Sequence, residues 1–125
     1  MVRDAVDVVR VCVLHHLTAG LDRITVVDNG STDGTTTVLR RLSKRVPLSY
    51  TVDSGPFDHG TVLTELAREA ARDGADWILP FDADEFWLVA RPLPELLADV
   101  NDEALSADVT HFVQRRRQRD ADGAI

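Results

Sequence analysis

The chain has 125 residues and a formal charge of −7, because 14 basic residues stand against 21 acidic ones. This length predicts a single domain, and 44% hydrophobic residues predict a folded core rather than disorder. One cysteine excludes an internal disulfide, and the acidic balance argues against a general nucleic-acid binder. The sequence has no apolar run long enough to span a membrane and no signal-peptide pattern at residues 1–4, so a cytoplasmic protein is expected.

The first part of the sequence predicts a helix, a strand and a turn. Asp4 is the expected N-cap of the helix, and Gly20 is its expected end. The apolar stripe of this helix consists of Val6, Val9, Val13 and Leu17. The β-branched run 24–27 predicts a buried strand, and the glycine-containing run 29–34 predicts a turn after it.

The middle of the sequence continues this alternation. A second helix is expected around residues 38–45, before Pro47, and the alternating run 48–52 predicts a second strand. After a loop, an amphipathic helix is expected over 62–74. The apolar run 77–81 predicts a third buried strand.

The last part predicts a short helix at 93–100 and a strand at 109–113. Alternating helices and strands predict an α/β fold with three or four mostly parallel strands and helices on both faces. Ligands of such sheets bind beyond the carboxyl ends of the strands. Two acidic clusters occupy such ends, Asp28 and the run 82–85, and they are the main functional clue.

The Asp-Ala-Asp motif at 82–84 is a candidate metal site. In an extended segment Asp82 and Asp84 share one face and Ala83 lies on the other. Two neighbouring carboxylates repel each other unless a cation or a proton lies between them. Oxygen ligands suit Mg²⁺ or Mn²⁺ better than zinc. The alternative is that these two residues only cap a turn.

The run 26–35 is a candidate nucleotide site. Asp28 at a strand tip could accept hydrogen bonds from a base or a ribose, while Gly30 and Gly34 would allow close approach of the backbone. Asp33 is the expected N-cap of the next helix. The run lacks the glycine spacing of a dinucleotide fingerprint and the lysine of a Walker A loop. An ordinary strand–turn–helix connection explains its composition about as well.

Taken together, the motif at 26–35 and the motif at 77–87 resemble those of family 2-type glycosyltransferases with the GT-A fold. The segments 1–4 and 15–20 fit the same family, and the resemblance extends from Met1 to about residue 113. It implies a Rossmann-type, three-layer α/β/α architecture, here with both ends shorter than in the family.

The resemblance also implies a ligand and its contacts. The donor would be a nucleotide-diphospho-sugar carrying UDP, GDP or dTDP, and the sugar would pass to an acceptor hydroxyl, typically with inversion. Asp28 matches the residue that contacts the base, with Asn29 beside it. Asp82 matches a nucleotide contact, and Asp82 with Asp84 matches the pair that holds Mn²⁺ or Mg²⁺ at the diphosphate.

Some positions depart from the family pattern. Ala5 stands where the family usually has Glu, and only residues 1–3 are left to supply the first strand. Residues 114–125 are too few for the acceptor-binding half, which usually carries the catalytic base. Glu85 and His59 are the nearby base candidates, without motif support. Residues 1–125 are therefore expected to form one domain, the donor-binding half, with an unknown acceptor and uncertain activity on its own.

Two alternatives remain open. A haloacid-dehalogenase-like phosphatase would use Asp82 as nucleophile and Asp84 as acid/base with Mg²⁺, but Phe86 stands where that motif usually has Thr or Val. The other alternative is a non-catalytic nucleotide- or partner-binding module. Its incomplete sheet would leave an unpaired apolar edge, which favours self-association.

Other chemically notable residues have simple structural interpretations. His15 and His16 project about 100° apart on a helix and cannot easily share a metal, and Cys12 is an expected core residue. His59 is either an ordinary loop residue or one that flanks the donor site, and Trp87 either packs or lines the sugar site. A basic run is either a solvated tail or a phosphate contact, and it comprises Arg115, Arg116, Arg117 and Arg119.

Overall fold

The computed structural model describes residues 1–100 and has an α/β fold. Helices and strands alternate over residues 9–72, as the periodicity predicts. The elements are α1 (Val9–Thr18), β1 (Ile24–Asp28), α2 (Thr35–Ser43), β2 (Leu48–Val52), α3 (His59–Arg72) and α4 (Leu93–Ala98). The strand predicted at 109–113 and the basic run at 115–119 lie outside the described residues.

The sheet is parallel. β1 pairs with β2, with Ile24 opposite Leu48, and α2 forms the crossover between them. Val2 adds an isolated parallel bridge to Asp28, because its N–H donates to the Val27 carbonyl at 2.8 Å. Successive residues of a strand bond to opposite sides, so residue 2 lies on the edge of β1 away from β2. Within residues 1–100 the sheet therefore has two strands and this bridge, fewer than the three or four strands predicted.

The hydrophobic core lies between this sheet and the helices α1 and α2. Each of these elements contributes apolar side chains at its own period, 3.6 residues in the helices and two in the strands. The Leu39 side chain of α2 is completely buried. The buried cluster consists of Val2, Val9, Val13, Ile24, Val26, Leu39, Leu42 and Leu48.

The start of the first helix differs from the prediction. α1 begins at Val9, and Asp4 lies outside it with a positive φ of 48°. The Asp4 carboxylate accepts a hydrogen bond from the Thr32 N–H at 2.8 Å instead. Asp4 as a helix cap was thus wrong, because a long-range backbone donor takes up its side chain.

Residues 77–81 do not pair as a strand among the described residues, although a strand was predicted there. Their exposure still alternates as in a strand, with residues 77, 79 and 81 partly buried and residues 78 and 80 exposed. Pro80 has no N–H to donate to a neighbouring strand. The segment lines a cavity of about 830 Å³, together with the apolar face of α3 (Leu63, Leu66, Ala67 and Ala70), a helix without a buried residue.

α4 is attached to the end of α1. The Leu93 N–H donates to the Ala19 carbonyl at 2.8 Å, and the Leu93 side chain is buried. Gly20, which follows Ala19, ends the first helix as predicted and has a φ of +113°. No helix within residues 1–100 combines the length and the apolarity that crossing a bilayer requires.

Candidate functional site

Asp28, the last residue of β1, is fully buried. One of its carboxylate oxygens accepts hydrogen bonds from the Ser31 N–H at 3.0 Å and from the Ser31 hydroxyl at 2.6 Å. The other oxygen accepts from the hydroxyl of Thr36 in α2. The carboxylate therefore ties the end of the strand to the following turn and to the start of the next helix.

Asn29 connects the loops that follow the two strands. Its side chain is almost completely buried, and its amide donates to the carbonyls of Asp53 at 2.8 Å and of Gly55 at 3.2 Å. Gly30 continues this contact with a φ of +65°, and a Cβ at that position would lie 3.1 Å from the Ser54 hydroxyl. The carboxyl ends of β1 and β2 thus carry two loops that are fixed to each other.

The remainder of the turn is bound to residues 4–6. Asp33 accepts from the Thr35 N–H at 2.9 Å, from the Thr35 hydroxyl at 2.6 Å and from the Val6 N–H at 3.0 Å. The Thr35 hydroxyl bond is the main cause of a lowered pKa of Asp33. The N-cap position of α2 is Gly34, so the predicted cap was one residue early, although Asp33 does accept from the first N–H of the helix.

The acidic motif is a turn rather than an extended segment. The Glu85 N–H donates to the Asp82 carbonyl at 3.0 Å, and the Glu85 carboxylate accepts from the Asp82 N–H at 3.1 Å. Ala83 packs against the hydrophobic core, whereas Asp82 and Asp84 are both exposed. The expected division of side chains between core and solvent is therefore present, although the backbone conformation differs from the one assumed. We call residues 82–85 the acidic turn.

Cys12 of α1 contacts the backbone of the acidic turn. Its thiol points at the carbonyls of Glu85 at 3.5 Å and of Asp82 at 3.7 Å. Burial, followed by the negative charges of Asp84 and Glu85, raises the pKa of Cys12 to about 11. The thiol is therefore protonated and available as a weak donor at neutral pH. The prediction of Cys12 as a core residue is confirmed.

The adjacent histidines have structural roles, as predicted. His16 is fully buried; its Nδ1–H donates to the Cys12 carbonyl at 2.8 Å, and its ring stacks on Phe81 at 3.9 Å between centroids. Burial is the main cause of its lowered pKa, which favours the neutral ring. Its Nε2 has no hydrogen-bond partner among the described residues. His15 donates from Nε2 to the Trp87 carbonyl at 2.7 Å, so both rings support the segment around the acidic turn.

Trp87 belongs to the same aromatic group. Its ring lies edge-on to His16 and to Phe81, with centroid separations of 6.2 and 6.5 Å. The side chain is partly buried. These contacts favour the packing role over the sugar-lining role.

His59 lies beside the acidic turn, a position that the motifs did not identify. It is the first residue of α3, and its Nε2 lies 3.4 Å from a carboxylate oxygen of Asp82. Both side chains are partly exposed, 38% for the histidine and 52% for the aspartate. Its place in the glycine-containing loop was the signal in the sequence, but nothing there indicated which of the acidic residues it would approach.

Two residues connect the acidic turn with the turn after β1, at residues 28–35. Val2 bridges to Asp28, and the neighbouring Met1 amino group lies close enough to Asp82 for that charge to raise its pKa, against a larger lowering by burial. The two motifs thus flank the same short segment.

The donor set fits a hard divalent cation that a ligand helps to hold. Within residues 1–100, no group of three or more His, Cys, Asp or Glu side chains is arranged around one point. Asp82 and Asp84 nevertheless offer exposed carboxylate oxygens, and Mg²⁺-type ions are often held by one or two carboxylates together with substrate phosphates. Asp82 and Asp84 could supply two oxygen ligands to such a cation.

A family model described as Glycosyl transferase family 2 matches residues 5–122. No curated protein and no solved structure matches the chain. The matched range includes both motifs from which the sequence resemblance arose.

Proposed function

The chain belongs to glycosyl transferase family 2, and on that premise we propose that it binds a nucleotide-diphospho-sugar through a divalent cation. The sugar is destined for an acceptor hydroxyl, with inversion at the anomeric carbon. The family generally uses divalent metals and implies a nucleotide-sugar donor. In this proposal residues 1–125 are the donor-binding half, Asp82 and Asp84 hold Mn²⁺ or Mg²⁺, and Asp28, Asn29 and Asp82 contact the nucleotide.

One observation carries the metal part of the proposal. Asp82 and Asp84 are exposed together on a turn whose middle residue, Ala83, packs against the core. Because Cys12 and Glu85 bind the backbone of that turn, the backbone that carries the two carboxylates is held in place. Carboxylate oxygens are the ligands that Mg²⁺ and Mn²⁺ prefer. A bound cation would neutralise the charge that develops on the diphosphate leaving group.

The nucleotide part depends on the loops after β1 and β2. A carboxylate has about four acceptor positions, and Ser31 and Thr36 occupy three of those of Asp28. Because Asp28 is fully buried, a base or ribose donor would reach its carboxylate by replacing the Ser31 hydroxyl. The bonds from Asn29 to the carbonyls of Asp53 and Gly55 would keep the loop after β2 in place beside Asp28.

Glu85 is one of the two candidates for the catalytic base. Glu85 already binds the Asp82 N–H, which favours a role in stabilising the turn. Family membership favours sugar transfer over the phosphatase alternative. The non-catalytic alternative shares the donor site and differs only in lacking transfer. A transfer assay on a chain that binds nucleotide distinguishes the two.

Asp84→Ala tests the metal assignment. The side chain is exposed, so the fold should be unchanged, while Mn²⁺-dependent binding of nucleoside diphosphates should weaken by at least about tenfold. Asp76→Ala, which removes another exposed carboxylate from outside the acidic turn, is the matched control. Calorimetric titration measures both variants. Equal affinities for wild type and Asp84→Ala would contradict the assignment.

A further inference from the structure

His59 is fixed in place by its neighbours on α3 and the loop before it. The Asp58 carboxylate accepts from the Thr61 N–H at 3.1 Å and so caps the helix at the residue before His59. The Phe57 ring lies parallel to the imidazole at 5.9 Å between centroids. The cap fixes the backbone at the start of the helix, and the Nε2 of His59 faces the acidic turn.

The distance between His59 and Asp82 suits a shared cation. Their nearest atoms are 3.4 Å apart. This distance is longer than the roughly 2.7–3.2 Å that is usual for an N–H···O hydrogen bond. Two neighbouring ligands of an octahedral ion with bonds of about 2.1 Å are about 3.0 Å apart. A cation could therefore contact both atoms after a shift of a few tenths of an ångström.

We propose that His59 is a ligand of the same divalent cation as Asp82, and that its nitrogen makes the site prefer Mn²⁺ to Mg²⁺. This inference rests on the proposed function, because a nucleoside diphosphate completes the coordination. Imidazole nitrogen is a softer donor than a carboxylate, and it binds later first-row ions much better than Mg²⁺. A site made of carboxylates alone lacks this source of selectivity.

His59→Gln tests the proposal, with His15→Gln as the matched control. A glutamine amide can replace the bond from His15 to the Trp87 carbonyl, so the control should leave the segment in place. UDP, GDP and dTDP are each titrated into the three proteins with Mn²⁺ and then with Mg²⁺. For the nucleotide that binds, we expect His59→Gln to weaken Mn²⁺-dependent binding about 10- to 100-fold. Mg²⁺-dependent binding should change about threefold or less.

A spectroscopic measurement supplies a readout independent of affinity. In protein labelled with ¹⁵N-histidine, pulsed electron paramagnetic resonance of bound Mn²⁺ should detect a ¹⁵N coupling. The coupling should persist in His15→Gln and disappear in His59→Gln. The ¹⁵N label separates imidazole nitrogen from the nitrogens of the nucleotide.

The outcomes separate the two proposals. Metal-dependent nucleotide binding without a histidine coupling, or an unchanged ratio of Mn²⁺ to Mg²⁺ affinity in His59→Gln, overturns the role of His59 alone. Absence of binding for all three nucleotides with either ion, in protein shown to be folded by circular dichroism, overturns the proposed function and this inference with it.

Discussion

Buried polar side chains at the end of β1 and on α1 stabilise the turns next to them through hydrogen bonds that the sequence alone does not predict. The motif predicts Asp28 as a contact of the nucleotide base. Its burial and its bonds to Ser31 and Thr36 show in addition that it organises the turn after the strand. The motif identified the residue, but the donors around it depend on how the turn folds.

Cys12 is the one cysteine of the chain, so its thiol reports specifically on the contact between α1 and the acidic turn. Folding raises its pKa from 9.0 to about 11. Between these values the unfolded state loses the thiol proton first. The free energy of unfolding should therefore be unaffected by this group below pH 9 and should fall as the pH rises toward 11.

Urea unfolding of wild type and Cys12→Ala at pH 8 and pH 10.5 measures this effect, with the variant correcting for other groups that titrate in the same range. Wild type should lose more stability than the variant between the two pH values. Slow alkylation of the folded protein at pH 8 is the companion result, because the thiolate is the reactive form. Equal losses in both proteins would contradict the raised pKa.

At the scale of the elements, a close backbone contact joins the end of α1 to α4. A Cβ on Gly20, whose φ is +113°, would lie 2.5 Å from the Pro94 ring. Gly20→Ala should therefore destabilise the protein by about 1–3 kcal/mol or more. Gly60→Ala is the matched control, because that helical glycine has no atom within 4 Å of an added Cβ.

The control should be neutral or should stabilise the protein by up to about 1 kcal/mol, since alanine favours a helix. The urea midpoint of each variant is the measurement. Similar midpoints for the two substitutions would show that the contact between Gly20 and Pro94 does not constrain the fold.

The strands β1 and β2 and the helices α2, α3 and α4 follow from hydrophobic periodicity, because each carries its own repeating pattern. The run 77–81 has the composition and the alternating exposure of a strand. A strand also needs a hydrogen-bonding neighbour, which the local sequence cannot specify. The same limit applies to Asp4, whose side chain binds the Thr32 N–H from a distant turn.

The candidate site was predictable only in part, because the local sequence specifies side-chain composition but not distant contacts. The composition of the acidic motif indicated two carboxylates on one side, and Asp82 and Asp84 are both exposed while Ala83 packs inward. The turn itself arises because the Glu85 side chain reaches back to the Asp82 N–H. The approach of His59 to Asp82 depends on how α3 is placed, which no motif encodes.

At the scale of the whole molecule, the net charge of −7 opposes the binding of an anionic diphosphate. The two candidate motifs both lie beside the segment at residues 1–2, and each contributes acidic side chains. A divalent cation at the acidic turn would offset most of the local negative charge and would offer the diphosphate a positive centre to bind. We therefore expect nucleotide binding to require the metal strictly rather than to be modestly enhanced by it.

Calorimetric titration of UDP, GDP and dTDP into the purified chain, first with Mn²⁺ and then with EDTA, tests this claim most directly. We predict saturable binding in the presence of Mn²⁺, a preference for one of the three nucleotides, and loss of that binding in EDTA. Equal binding with and without the metal would contradict the role of Asp82 and Asp84. Absence of binding under both conditions, in folded protein, would contradict the assignment of a donor site to this chain.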